Sequence, residues 1–182
     1  YSSISHMGVV LLGIATLNVT GLTGAVMQMV AHGLTAATLF LVVGLLYQRT
    51  HSRDLADYGC LLGRAPRFAF FIAFALLAAI GLPGSAGFIA ELHALVGGFA
   101  RWGGWILLVC IGMLVGAAYS LRVIGRLCMK GLPATDIVDM TRTETAAAGL
   151  LGISIVALGV WPAPLLDLVA GSVGRVGRLF GG

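Results

Sequence analysis

The sequence predicts an all-α integral membrane fold, a bundle of about five transmembrane helices of which the third is discontinuous. Three observations carry this. Of the 182 residues, 59% are hydrophobic and only 10% charged, and the mean hydropathy of +1.01 lies far from that of a soluble globular domain. The apolar residues fall in runs of about 20, the length a helix needs to cross the hydrocarbon core. One run is too long for a single pass and contains Gly81-Leu82-Pro83-Gly84-Ser85-Ala86-Gly87, which no continuous helix would choose.

In chain order the five expected spans are Ser3 to Asn18, Leu22 to Gln48, Phe68 to Phe99, Trp102 to Leu127 and Thr145 to Val160. The first is short, and the chain opens on Tyr1 with no charged leader or small-residue cleavage site, so a fragment or one piece of a larger polypeptide is expected. A straight third helix of 32 residues would be about 48 Å long against a core of about 30 Å, so it must break, tilt or re-enter. Thr141 with Glu144 three residues on predicts a capping box at the start of the fifth span. Gly112 and Gly116 form a small-xxx-small pair in the fourth, read as a close helix contact.

Loop charge supplies an orientation. Arg49, Arg53, Arg64 and Arg67 follow the second span, and Arg122, Arg126, Lys130 and Arg142 follow the fourth, against Arg101, Arg175 and Arg178 on the alternate side. This bias places the two loops in the cytoplasm and the C-terminus outside, with Trp102, Trp105 and Trp161 at the outer ends of spans. The net charge of +4 forms no basic run or aromatic-interleaved patch, which excludes nucleic acid as a partner. Cys60, Cys110 and Cys128 have no metal-ligand or redox spacing. No nucleophile–base set, phosphate loop or dinucleotide fingerprint is present, so no covalent chemistry is expected of this chain.

The candidate functional residues are ionisable groups at membrane depth, where they are costly and mark ion paths. Glu91 follows Gly87 by four residues and shares its face, so the opened backbone and the carboxylate are expected to point into one space. His32 shares a polar stripe with Gln28 and Thr35, and His6 shares one with Ser2 and Ser3. Imidazole can accept on one nitrogen while donating from the other, which suits a relay. His93 lies on the opposite face from Glu91, where a hydrogen-bonded or interfacial role is expected, and His51 sits in the polar loop Tyr47 to Asp54. Glu91, His32 and His6 are therefore the proton-translocation candidates, and Gly81, Pro83, Gly84 and Gly87 the helix break.

Several stretches also carry a family resemblance: Tyr1-Ser2-Ser3-Ile4-Ser5-His6-Met7-Gly8, Gln28 through Thr35, the Tyr47 to Asp54 loop, and Gly81 through Glu91. Together they resemble the C-terminal part of the antiporter-like subunit M family of bacterial NADH:quinone oxidoreductase, respiratory complex I. The resemblance covers most of the chain and weakens after about Lys130.

It implies most of the second of two inverted repeats of five helices (residues 1–130), a cytoplasmic connection (131–144), and a last transmembrane helix with an outer C-terminal tail (145–182), in the bacterial inner membrane. It implies that His6 and His32 lie on a central hydrophilic axis and that Glu91 stands at the break of the second discontinuous helix. The carboxylate there, where sibling subunits typically have lysine, favours subunit M. No cofactor is expected in this chain; FMN, iron–sulfur clusters and quinone belong elsewhere in the implied complex. Partners would be neighbouring membrane-arm subunits, the missing N-terminal half and lipids. Cys60 stands where the resemblance leads one to expect a second glycine after Gly59. Two alternatives stay open: a subunit of a multi-subunit sodium/proton antiporter, and a structural membrane-arm module without its own proton path.

Overall fold

A computed structural model of the chain describes residues 2–55, 58–129 and 137–179. The expected boundary between the second antiporter-like repeat and the connection, at 130/131, falls outside the described residues, as do Tyr1 and Lys130. In order, the helices are α1 (Ser2–Ala15), α2 (Val19–Thr50), α3 (Leu61–Arg64), α4 (Pro66–Ala79), α5 (Ala86–Trp102), α6 (Leu107–Ile124), α7 (Arg142–Val160) and α8 (Ala163–Leu179). A 3₁₀ turn, Gly103–Ile106, joins α5 to α6, and α6 ends in a π turn, Gly125–Met129.

Helices long and apolar enough to cross a membrane are α2, the run Ala86–Cys128 that joins α5 and α6, and α7, with α1 and α4 as shorter apolar helices. Large apolar side chains such as Phe40, Leu114, Leu150 and Ile153 lie exposed along them, as expected of surfaces that meet lipid or further protein.

The hub is α2, against which α1, α4, α5, α7 and α8 all pack. Asn18 starts it: its side-chain oxygen accepts the Gly21 N–H at 2.8 Å, while its amide donates to the Gly97 carbonyl of α5, also at 2.8 Å. Glycines let the backbones meet. A Cβ on Gly24 would lie 2.5 Å from the Ala94 nitrogen, and one on Gly97 would lie 2.5 Å from the Gly21 nitrogen, so α2 and α5 run antiparallel in near-direct backbone contact.

The end bearing the charged loops holds an apolar core built from Val42, Leu46, Leu61, Phe68, Ile72, Leu127, Met140 and their neighbours. Polar clamps close it. Arg49 donates to Glu144 at 2.7 Å and stacks over Phe68, while the same Glu144 completes the predicted capping box with Thr141. Asp139, brought in from the segment before α7, accepts the Arg67 and Phe68 N–H groups that open α4. Trp102, Trp105 and Trp161 lie at the opposite ends of their helices.

Three expectations are corrected. The tail beyond α7 is a helix, α8, whose Val173 and Gly177 are buried and whose Gly177 abuts Val19; its proline, glycines and three charges hid it from an apolar-run reading. Among the described residues Gly112 and Gly116 make no close helix contact, since a Cβ on Gly112 would meet nothing within 4 Å and one on Gly116 only the Tyr119 ring of its own helix. Gly87, expected within the break, is already the second residue of α5.

Candidate functional site

The third expected span divides where the sequence placed the interruption. Helix α4 ends at Ala79 and α5 begins at Ala86. Gly81 and Gly84 take the positive φ angles of 73° and 94° that side chains disfavour. The Gly81 N–H bonds to the Ala78 carbonyl at 3.2 Å and the Leu82 N–H to the Leu77 carbonyl at 3.1 Å, so the end of α4 is closed by a Schellman motif. Pro83 has no N–H to give and follows directly. Helix α7 backs this turn, with Gly159 set against the backbone of Gly84 and Ser85. Gly87 faces the last carbonyls of α4: a Cβ there would lie 3.0 Å from the Ala78 oxygen.

Glu91, one turn further on, is 7% exposed and folds back over the break. A side chain at Gly81 would meet its Oε2 at 2.5 Å, so the glycine makes room for the carboxylate as well as for the turn. Its other oxygen, Oε1, lies 4.0 Å from His6 Nδ1. The His6 ring in turn sits 5.2 Å, centroid to centroid, from that of His32. Three helices thus bring His32 of α2, His6 of α1 and Glu91 of α5 into one chain of titratable groups. His32 lies about 27 Å along α2 from Thr50, well inside the apolar length of the helix.

Two cavities meet at this chain, and His6 and Ala79 line both. One, of about 300 Å³, is bordered by Ser2, Ser3, His32, Thr35 and Phe40 and extends from the histidines toward the charged end. The other, of about 30 Å³, is lined by Ser5, Glu91, Gly112, Gly116 and Tyr119, room for a water molecule or two. Two larger clefts, of about 500 and 440 Å³, are lined mainly by apolar residues and reach neither the histidines nor Glu91; volume does not mark the site here.

The remaining candidates lie apart. His93 bonds through Nδ1 to the Ile89 carbonyl of its own helix at 2.8 Å. His51 caps α2 in the left-handed conformation, its ring edge-on to Tyr47. Among the described residues no group of three His, Cys, Asp or Glu could hold a metal ion. Sequence reasoning took Gly112 and Gly116 for packing and passed over Tyr119, though all three border Glu91. Their signal lay in how α6 packs on α4 and α1 beside Glu91, which single-helix periodicity does not contain.

A helix broken at a Schellman turn beside a buried acid and two imidazoles defines a helical membrane protein of the antiporter-like class. The family model described as "NADH:quinone oxidoreductase/Mrp antiporter, TM" matches residues 1–118, and the chain belongs to that family. It is 40% identical to NADH-quinone oxidoreductase subunit M of Rhodobacter capsulatus over 97% of this chain and 35% of the relative. It superposes on a chain of respiratory complex I from Thermus thermophilus with a TM-score of 0.93 at 28% identity, covering all of this chain and 39% of that one. A chain of the Mrp complex from Dietzia sp. shares the fold, with a TM-score of 0.79 at 19% identity over 96% of this chain and 41% of that one. The chain thus spans about a third of the length of the curated relatives it matches.

Proposed function

We propose that this chain translocates protons as part of the membrane arm of an NADH:quinone oxidoreductase, by way of Glu91, His6, His32 and water. The reading is supported by one observation: the His32–His6–Glu91 chain runs between apolar helices beside a helix break. Ionisable groups there are costly and are kept where they serve an ion path. A carboxyl and two imidazoles each take up and release a proton without changing their covalent framework. The roughly 300 Å³ cleft gives the histidines access toward the charged end, and the chamber at Glu91 accommodates water between its carboxyl and α6.

In this reading the chain supplies most of the second antiporter-like repeat, residues 1–130, with 131–144 as the connection and 145–182 as the last transmembrane helix with α8. The charged loops face the cytoplasm of a bacterial inner membrane and the C-terminus faces outward. Redox cofactors and quinone lie in other subunits, and neighbouring membrane-arm subunits with the rest of this subunit are the partners. The sodium/proton antiporter alternative fits the site less well. Hard cations favour several oxygen ligands around one centre, whereas this cluster offers one carboxylate and two imidazoles.

Replacing Glu91 with Gln in the assembled enzyme, reconstituted in vesicles, tests the reading. Coupled proton transfer is expected to fall strongly with assembly intact, and Glu91→Asp to retain part of it. Unchanged transfer in Glu91→Gln would leave the chain a structural module.

A further inference from the structure

Among the described residues two buried side-chain oxygens lack a hydrogen-bond partner, Gln28 Oε1 and Ser85 Oγ. Both residues are almost fully enclosed, at 2% and 4% exposure. Leaving such an atom unpaired carries the full cost of its desolvation, and native proteins rarely tolerate it. Nearby hydroxyls avoid that cost, since Thr35 donates to the Ala31 carbonyl at 2.8 Å and Thr38 to the Leu34 carbonyl at 2.9 Å. Gln28 and Ser85 are therefore exceptions that call for a partner.

Their positions converge. Gly21 meets Gly97, and Gly24 meets Ala90, His93 and Ala94, in an antiparallel register. Carried one turn further, that register sets Gln28 opposite the turn from Gly87 to Glu91. Gln28 also precedes His32 by four residues and so lies on its face of α2. Ser85 stands at the start of α5 without capping it, and its Oγ lies 3.9 Å from where a Gly87 side chain would begin. The two unpaired oxygens thus both lie beside the opening turn of α5. A carboxamide oxygen only accepts, so the missing partner of Gln28 is a donor.

We infer that water binds at Gln28 Oε1 and at Ser85 Oγ, hydrating the first turn of α5, and that Gln28 is a positioning residue for proton transfer at Glu91. The hydration stands on the unpaired atoms alone, while the role of Gln28 in transfer rests on the function proposed above. Water is small enough to enter a helix contact, and it can donate to Gln28 while accepting from a neighbouring donor. Bound there, it extends the titratable chain from His32 along α2 and fixes the surroundings in which Glu91 exchanges its proton.

An experimental map of the assembled enzyme at a resolution that shows water, together with the Gln28→Leu and Gln28→Asn variants, tests this. Density is expected within about 3.2 Å of both oxygens. Gln28→Leu should assemble normally and reduce coupled proton transfer roughly tenfold, the scale of one lost hydrogen bond, with Gln28→Asn intermediate and electron delivery to an artificial acceptor unchanged. A dry contact at Gln28 in the map overturns the inference, and that result needs no variant to fold. Wild-type transfer in Gln28→Leu overturns the positioning role. Glu91→Gln separates the two readings: if it is silent while water is seen at Gln28, the proposed function fails and the hydration stands. If it is disabling while Gln28→Leu is silent, the positioning role alone fails.

Discussion

Replacing Gly24 with alanine probes the seam that fixes Glu91 relative to the histidines. The added Cβ would lie 2.5 Å from the Ala94 nitrogen, 2.9 Å from the His93 carbonyl carbon and 3.0 Å from the Ala90 oxygen. All three are main-chain atoms of a helix and cannot turn aside as a flexible side chain would. Ordinary contact begins near 3.4 Å, so α2 and α5 must separate by about 1 Å along this stretch. Overpacking of this kind costs about 1–3 kcal/mol, and the neighbouring contact of Gly21 with Gly97 is strained with it. Gly33 on the same helix is the control, because a Cβ there meets nothing within 4 Å. With the enzyme extracted and heated in steps, the share of intact assembly on native gels should fall at a lower temperature for Gly24→Ala than for wild type, while Gly33→Ala follows wild type. Equal behaviour of the two variants would refute the seam.

Two further perturbations test the charged end. Asp139→Ala removes the carboxylate that caps α4 from outside the helix, so a loss of about 1 kcal/mol is expected, read as faster hydrogen exchange at Arg67 and Phe68; unchanged exchange there would discount the cap. Cys60 takes the left-handed conformation with φ 52°, which costs a residue with a side chain about 1–2 kcal/mol. Cys60→Gly should therefore raise the temperature of thermal disassembly and Cys60→Val lower it, and the reverse order would count against that backbone geometry.

The break was legible because its chemistry is local. Gly81, Pro83 and Gly84 restrict or free their own backbone whatever surrounds them, and the structure places the turn among them. Glu91, His6 and His32 stood out for a similar reason, as titratable groups in apolar runs. The capping box at Thr141 likewise needs only residues three apart. What escaped depends on which helix faces meet. In a membrane protein a buried Leu and a lipid-facing Leu read alike, so the pattern that orients a soluble helix is absent. Gly112 and Gly116 could be read as a contact or as a cavity wall, and only the placement of α6 decides. Asp139 caps a helix that begins some 70 residues earlier in the chain. The glycine expected at position 60 from the resemblance has a physical ground, since the backbone there turns left-handed.

The packing around Glu91 is unequal along its two directions, and this bears on how a proton would leave it. Beyond Glu91, away from the charged end, α1, α2 and α5 are drawn together at glycines: Gly13 against Gly21 and Ala25, Gly24 against Ala90 and Ala94, and Gly97 against Gly21 and Asn18. A seam in which a single Cβ cannot be inserted leaves no room for a file of water. Toward the charged end α1 and α2 part, with the end of α4, around the roughly 300 Å³ cleft beside His6 and His32. On the far side of His6, the space that touches Glu91 is the small chamber against Gly112, Gly116 and Tyr119. Under the proposed function, the axis is therefore open to the histidines and shut past the carboxylate, and the room next to Glu91 lies sideways, toward α6. The two glycines of α6 then serve by the side chains they lack, as the wall of a water-sized chamber.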